Sequence, residues 1–262
     1  MDKETYELLK NITNKEYIKL VPRGNKAILY ALRIAKKLGK KKVLIQDQGG
    51  WITYKQFPVK LKMELEELKT DYGLLDINDL KKKADADSVL LINSLTGYFA
   101  VQDMLSAYNL CFNAGCLVIN DITGSIGTES GKVGDILVGS FGNAKPVDYG
   151  QGGMIAVGED DWFNLTKIDE VEFDDIFYDK LFGLQKRLTD LKKITKKIKK
   201  DLSKFEIIHK DKDGINVVVG FLDDAEKEEI ISYCDKNKYE YTICPRYIRV
   251  SCDAVSIEVK RL

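Results

Sequence analysis

Lys145 stands alone in the stretch SFGNAKPVDYGQGGMIAV (residues 140–157), with small residues before it and a glycine-rich run after it. A solvated loop lysine is the ordinary reading, since lysines are mostly exposed. Three features argue against it. The lysine follows Ser140 at the end of an apolar run; Gly142, Asn143, Ala144 and Pro146 leave room for a ligand; and Gly150, Gly152 and Gly153 let backbone pass close by. A desolvated lysine loses proton affinity and becomes nucleophilic toward a carbonyl. Asp121 closes a second apolar run, as either a helix cap or a charged partner for a cation on a ligand. Gly24-Asn25-Lys26-Ala27 opens a helical segment, either as an ordinary helix start or with its free N–H groups holding a phosphate. A phosphate cradle, an acid, a hydroxyl and an isolated lysine are what pyridoxal phosphate requires: an aldehyde for the lysine, a pyridine nitrogen for the acid and a dianion for the helix end.

The elements that must position these groups are legible from periodicity. Residues 24–38 carry apolar side chains at helical spacing, from Gly-Asn to Gly39. KKVLIQDQ, ADSVLLINSLTG, GCLVINDITG, GDILVGSFG and GGMIAVGED each hold a short continuous apolar run, and VQDMLSAYNLCFNAG is helical between two of them. Strands without alternation, separated by helices, predict an α/β fold whose mainly parallel sheet is covered on both faces. Polar residues then gather at the strand ends: Gln46-Asp47-Gln48, Asn93-Ser94, Asn120-Asp121 and Ser140. Leucines and isoleucines from Lys180 to Lys204 predict one long amphipathic helix. Beyond it FEIIHKDKDGINVVVGF reads as a hairpin, DDAEKEEIISYCDKN as a helix, and YEYTIC and YIRVSC as strands. The expected organisation is a large cofactor-binding domain over residues 1–179, a connecting helix over 180–204 and a small α+β domain over 205–262.

Composition bounds the function. The chain has 262 residues, 44% hydrophobic and 31% charged, with zero formal net charge, so whole-molecule electrostatics give no reason to expect a nucleic-acid or membrane partner. Five cysteines without CxxC or zinc spacing predict reduced thiols, and no metal site is expected. The charged start MDKETYELLKNITNKEY is neither a signal nor a transit peptide, and no apolar run reaches membrane-spanning length, so a cytoplasmic protein is expected. His209, the single histidine, reads as structural or exposed. KKITKKIKK reads as a solvated helix face, and GSIGTESG lacks the G-x-G-x-x-G spacing of a dinucleotide site.

The sequence resembles fold-type I pyridoxal-phosphate enzymes, most closely the DegT/DnrJ/EryC1/StrS aminotransferases. LVINDITGSIGT matches the family's acid at a strand end, and GDILVGSFGNAKPVDYGQGGMIAV matches its Ser-Phe strand end, following lysine and Gly-Gly-Met strand. The resemblance runs in outline over residues 20–253 and is specific over 118–157. It implies Lys145 as the Schiff-base lysine, Asp121 as the pyridinium partner and Ser140 as a phosphate ligand, with Gly24 and Asn25 matching the phosphate turn more loosely. Arg249 in YIRVS looks like the arginine that binds a substrate carboxylate, and Trp51 after DQGG takes the place of an aromatic on the cofactor ring. The chain departs in lacking much of the usual N-terminal segment and in carrying Gly124 where His or Gln often follows the acid. The expectation is a homodimeric aminotransferase with an amino acid donor and an oxo-acid or oxo-sugar acceptor. A non-catalytic binding or scaffold relative and another pyridoxal-phosphate lyase are the alternatives.

Overall fold

The computed structural model describes residues 1–262. Its central sheet has seven strands: β1 (Tyr17–Val21), β2 (Lys42–Gln46), β3 (Glu64–Leu68), β4 (Ser88–Asn93), β5 (Leu117–Asp121), β6 (Ile136–Ser140) and β7 (Gly153–Val157). They lie in the order β1-β7-β6-β5-β4-β2-β3. The five strands from β6 to β3 are parallel, and β7 and β1 close the sheet antiparallel.

The unbroken apolar runs follow from coverage on both faces. Successive residues serve different cores: Val43, Ile45, Val89 and Leu91 face one cluster, Leu44, Leu90 and Ile92 another. The first cluster is closed by α2 (Gly24–Lys37) and α3 (Ile52–Lys60), the second by α4 (Ile77–Lys83) and α5 (Met104–Ala114). Helix α1 (Lys3–Thr13), capped by Asp2 through the Thr5 N–H, packs on α6 (Asp175–Phe182). Neither α1, β1, α3 nor β3 was legible. The first two are masked by charge, α3 carries Pro58 and little amphipathicity, and β3 is the acidic edge strand ELEEL.

The helix expected over 180–204 is instead two. Gly183 ends α6 and begins α7 (Leu184–Asp201). The apolar stripe bridges the junction, but glycine holds a helix weakly. The small sheet is antiparallel, with β8 (Val217–Gly220), β9 (Tyr241–Cys244) and β10 (Ala254–Ile257) in the order β8-β10-β9, and α8 (Asp224–Asn237) packs on β10. The hairpin expected at 205–221 reduces to a single rung, Ile207 to Val219. YIRVSC is not a strand. Arg249 N–H donates to the Arg246 carbonyl and closes a turn, and pairing resumes at β10, the partner of both neighbours. One apolar core joins both sheets, running from Leu137 and Met154 through Leu184 and Leu188 to Val217 and Val255.

Candidate active site

Asp121, the last residue of β5, is 7% exposed and both its oxygens are engaged. Oδ1 accepts from the Thr123 N–H at 3.0 Å and the Thr123 hydroxyl at 2.5 Å; Oδ2 accepts from the Tyr54 hydroxyl at 2.7 Å. Burial first, then the neighbouring Asp121 charge, hold the Tyr54 phenol well above its ordinary range, so it remains a donor. Thr123 also accepts from the Ser140 N–H at 3.0 Å, which ties the ends of β5 and β6 together.

Gly24 brings the start of α2 onto Ser140. A Cβ at Gly24 would lie 2.5 Å from the Ser140 Cβ, so only glycine permits this approach. No side chain caps α2, which leaves its first-turn N–H groups facing the same place as the Ser140 hydroxyl. Asn25 accepts from the Trp51 indole N–H at 2.8 Å, fixing the ring over this corner.

Lys145 projects from the β6–β7 connection. Ala144 before it takes φ of 58°, the left-handed region, and its N–H donates to Asp148 at 3.0 Å. The Lys145 Nζ donates to the Tyr98 hydroxyl at 3.0 Å and lies 5.7 Å from the centre of the Trp51 ring. Arg249 reaches the pocket from the β9–β10 connection, with its guanidinium 5.3 Å from the Tyr98 ring centre. Its Nε and one terminal nitrogen grip Glu258 at 2.8 and 2.6 Å, and the other terminal nitrogen donates to the Ile248 carbonyl at 2.7 Å. Three of five donors are thus used, and two remain.

Gly24, Asn25, Trp51, Asp121, Ser140, Lys145 and Arg249 all line one pocket. Asn93, one of the polar residues expected at the strand ends, also lines the pocket, whereas Tyr54, Tyr98, Thr123 and Glu258 were not identified from sequence. Tyr98 had one local signal, the preceding Gly97, since both residues adopt positive φ. His209 lies outside the pocket, bonding the Asp71 carbonyl and stacking on Phe99. The basic run on α7 is partly ion-paired, through Lys192 with Asp213 and Lys197 with Asp201.

Sheet order, the antiparallel closure and a pocket at the strand ends define the fold of pyridoxal-phosphate-dependent transferases. The chain belongs to the DegT/DnrJ/EryC1/StrS aminotransferase family, whose model matches residues 8–213; residues 185–262 match the MJ1341 family C-terminal domain. No curated protein matches the sequence. Among solved structures, 3-amino-5-hydroxybenzoic acid synthase aligns with a TM-score of 0.76 at 13% identity, over 98% of this chain and 84% of that one. A DegT DnrJ EryC1 StrS aminotransferase from Brucella abortus gives 0.75 at 14%, over 97% and 84%. The apo cysteine desulfurase of Thermococcus onnurineus NA1 gives 0.71 at 11%, over 97% and 77%. These likenesses establish the fold.

Pyridoxal phosphate is the cofactor that family and fold imply, and the residues present fit it. The uncapped start of α2 beside Ser140 suits a phosphate, and Asp121 is a buried acidic side chain at the strand end. The buried Asn93 Oδ1, on a pocket residue, has no partner within the protein.

Proposed function

We propose that this protein is a pyridoxal-phosphate-dependent aminotransferase taking an amino acid donor and an oxo-acid or oxo-sugar acceptor. The observation that carries the reading is the lining of one pocket by Lys145, Asp121 and the Gly24–Ser140 corner. Bound there, pyridoxal phosphate supplies an electron sink for carbanion chemistry at an amino-acid α carbon. Gly24, Asn25 and Ser140 hold the phosphate, and Asp121 is the anionic partner of the pyridinium nitrogen. Trp51, fixed by Asn25, covers the ring and excludes water. Lys145 Nζ would anchor the cofactor covalently, and its amine would carry a proton to or from the substrate α carbon. Tyr98 holds that amine in the pocket. Arg249 offers its two remaining donors to a substrate carboxylate.

A division into residues 1–179, 180–204 and 205–262 and a homodimer completing each site belong to the same reading, and sedimentation at several concentrations tests the dimer. One observation favours a second reading, a binding relative without transfer activity: the Arg249 fork is already held by Glu258. Incubation of the protein and pyridoxal phosphate with a panel of amino acids and an oxo acid separates the two. Transferase activity yields the new amino acid by mass; bound cofactor with no product from any donor supports the binding relative.

A further inference from the structure

Tyr98 is held by more than its hydroxyl bond to Lys145 requires. Its backbone takes φ of 70°, directly after Gly97 at 49°, and the left-handed region is unusual for a bulky side chain. Such a conformation persists only where the surroundings enforce it. Here the segment leading into β8 does so: the Ile215 and Asn216 N–H groups both donate to the Tyr98 carbonyl, at 2.8 and 2.9 Å. The Asn216 side chain is fixed in turn, donating at 3.0 Å to Glu258, the carboxylate that grips Arg249. The close approach of this segment needs a glycine, since a Cβ on Gly214 would lie 2.3 Å from the Phe99 carbonyl oxygen. The Tyr98 ring needs another. A Cβ on Gly124 would lie 3.0 Å from Tyr98 Cδ1, 3.2 Å from its Cε1 and 3.1 Å from Leu95 Cδ2. The departure from the family pattern at Gly124 thus has a spatial counterpart, because Tyr98 fills the space that a side chain there would enter. So placed, the Tyr98 hydroxyl accepts from Lys145 Nζ at 3.0 Å, and its ring centre lies 5.2 Å from that amine and 5.3 Å from the Arg249 guanidinium.

We propose that Tyr98 is a positioning residue for Lys145: clamped by Ile215 and Asn216 and given room by Gly124, it aims the amine so that a bound carbonyl meets it in one orientation. This rests on the reading of Lys145 as the covalent anchor and adds what directs that anchor. Attachment joins Nζ to the aldehyde carbon, and the aldehyde oxygen leaves as water. Within a bound complex its rate depends on how well the two groups are aligned. A small aldehyde arriving from solution samples every orientation and gains little from an aimed amine. The two kinds of aldehyde therefore separate the aim of Lys145 from its intrinsic reactivity.

The test takes three readings on the full chain. Stopped-flow absorbance follows attachment of saturating pyridoxal phosphate. Dialysis against pyridoxine phosphate, in which an alcohol replaces the aldehyde, reads binding without attachment. Formaldehyde with cyanoborohydride methylates Lys145 from solution, read by peptide mass with the exposed Lys196 as internal standard. Tyr98→Phe removes the hydroxyl and keeps the ring. The expected result is attachment slowed about tenfold, with pyridoxine phosphate affinity and Lys145 methylation within about twofold of the parent. Attachment at the parental rate overturns the proposal. So does an equal fall in all three readings, which would mark general damage to the pocket. Gly124→Val pushes the ring from the other side and should give the same selective slowing; a parental rate there overturns the part assigned to Gly124. A parent that binds pyridoxine phosphate yet never attaches pyridoxal phosphate to Lys145 would instead overturn the functional reading and this proposal with it, a pattern distinct from parental rates in the variants.

Discussion

Tyr54 donates its phenolic proton to Asp121 at 2.7 Å, joining a helix that was invisible in the sequence to the acid that was plain in it. The bond fills Oδ2, while Thr123 fills Oδ1, so the carboxylate is fixed before any ligand arrives. Preorganisation of this kind spares a ligand the cost of ordering its partner. Tyr54→Phe keeps the ring and removes the donor. The expected result is a loss of about 1–3 kcal/mol in urea unfolding and a weaker affinity for pyridoxal phosphate by titration. Unchanged affinity would show that Thr123 alone orients the acid.

The contact of Gly24 with Ser140 is the second checkable relationship. A methyl at Gly24 would sit 2.5 Å from the Ser140 Cβ and must push the start of α2 away. Gly24→Ala is expected to lower pyridoxal-phosphate affinity about tenfold, corresponding to about 1.4 kcal/mol. Equilibrium dialysis measures this, and affinity equal to that of the parent would mean that phosphate is held elsewhere.

Glu258 gives the pH dependence. Burial opposes its charge, but the Arg249 fork, Lys260 and the Ser256 hydroxyl hold its carboxyl down at about 2 against an ordinary 4.5. A lowered carboxyl binds fewer protons in the folded than in the unfolded chain, so its contribution is full above about 4.5 and is lost as pH falls toward 2. The amount is about 3 kcal/mol. Glu258→Gln should be destabilised at pH 7 by about 3–5 kcal/mol, because Arg249 and Lys260 are left as buried unpaired cations. It should also lose the steep part of the acid transition between pH 4.5 and 2 in unfolding followed by circular dichroism. Retention of that transition would assign acid sensitivity to other carboxylates.

Ala144, in the left-handed region just before Lys145, stores strain at the site. Ala144→Gly relieves it while making the unfolded chain more flexible, so stability should change by less than about 1 kcal/mol. Ala144→Val adds a β-branched side chain where positive φ resists it and should cost more, about 1–3 kcal/mol in urea unfolding. Equal stability of the two variants would place the strain elsewhere.

What the sequence made legible is what local pattern encodes. Continuous runs such as VLLIN and ILVGS need coverage on both sides, and the polar residue closing each run lands at the strand end, so Asp121 and Ser140 came with the strands. Lys145 was legible through its unusual neighbours. Gly24, Asn25, Trp51 and Arg249 line the same pocket, but the partners that fix them were hidden. Arg249 and Glu258 belong to a turn and a strand end whose approach depends on the small sheet's register. Tyr98 reaches the pocket through backbone at positive φ, and Tyr54 through a helix containing Pro58. Such residues are placed by tertiary packing, which neither periodicity nor spacing records.

The central claim is that Lys145 anchors pyridoxal phosphate. The direct measurement adds the cofactor to the full chain, follows its visible absorbance, reduces with borohydride and maps the modified peptide by mass. The account predicts a visible band and a single cofactor-sized mass increase on Lys145, both absent in Lys145→Ala. A label on another lysine, or a visible band that survives Lys145→Ala, would contradict it.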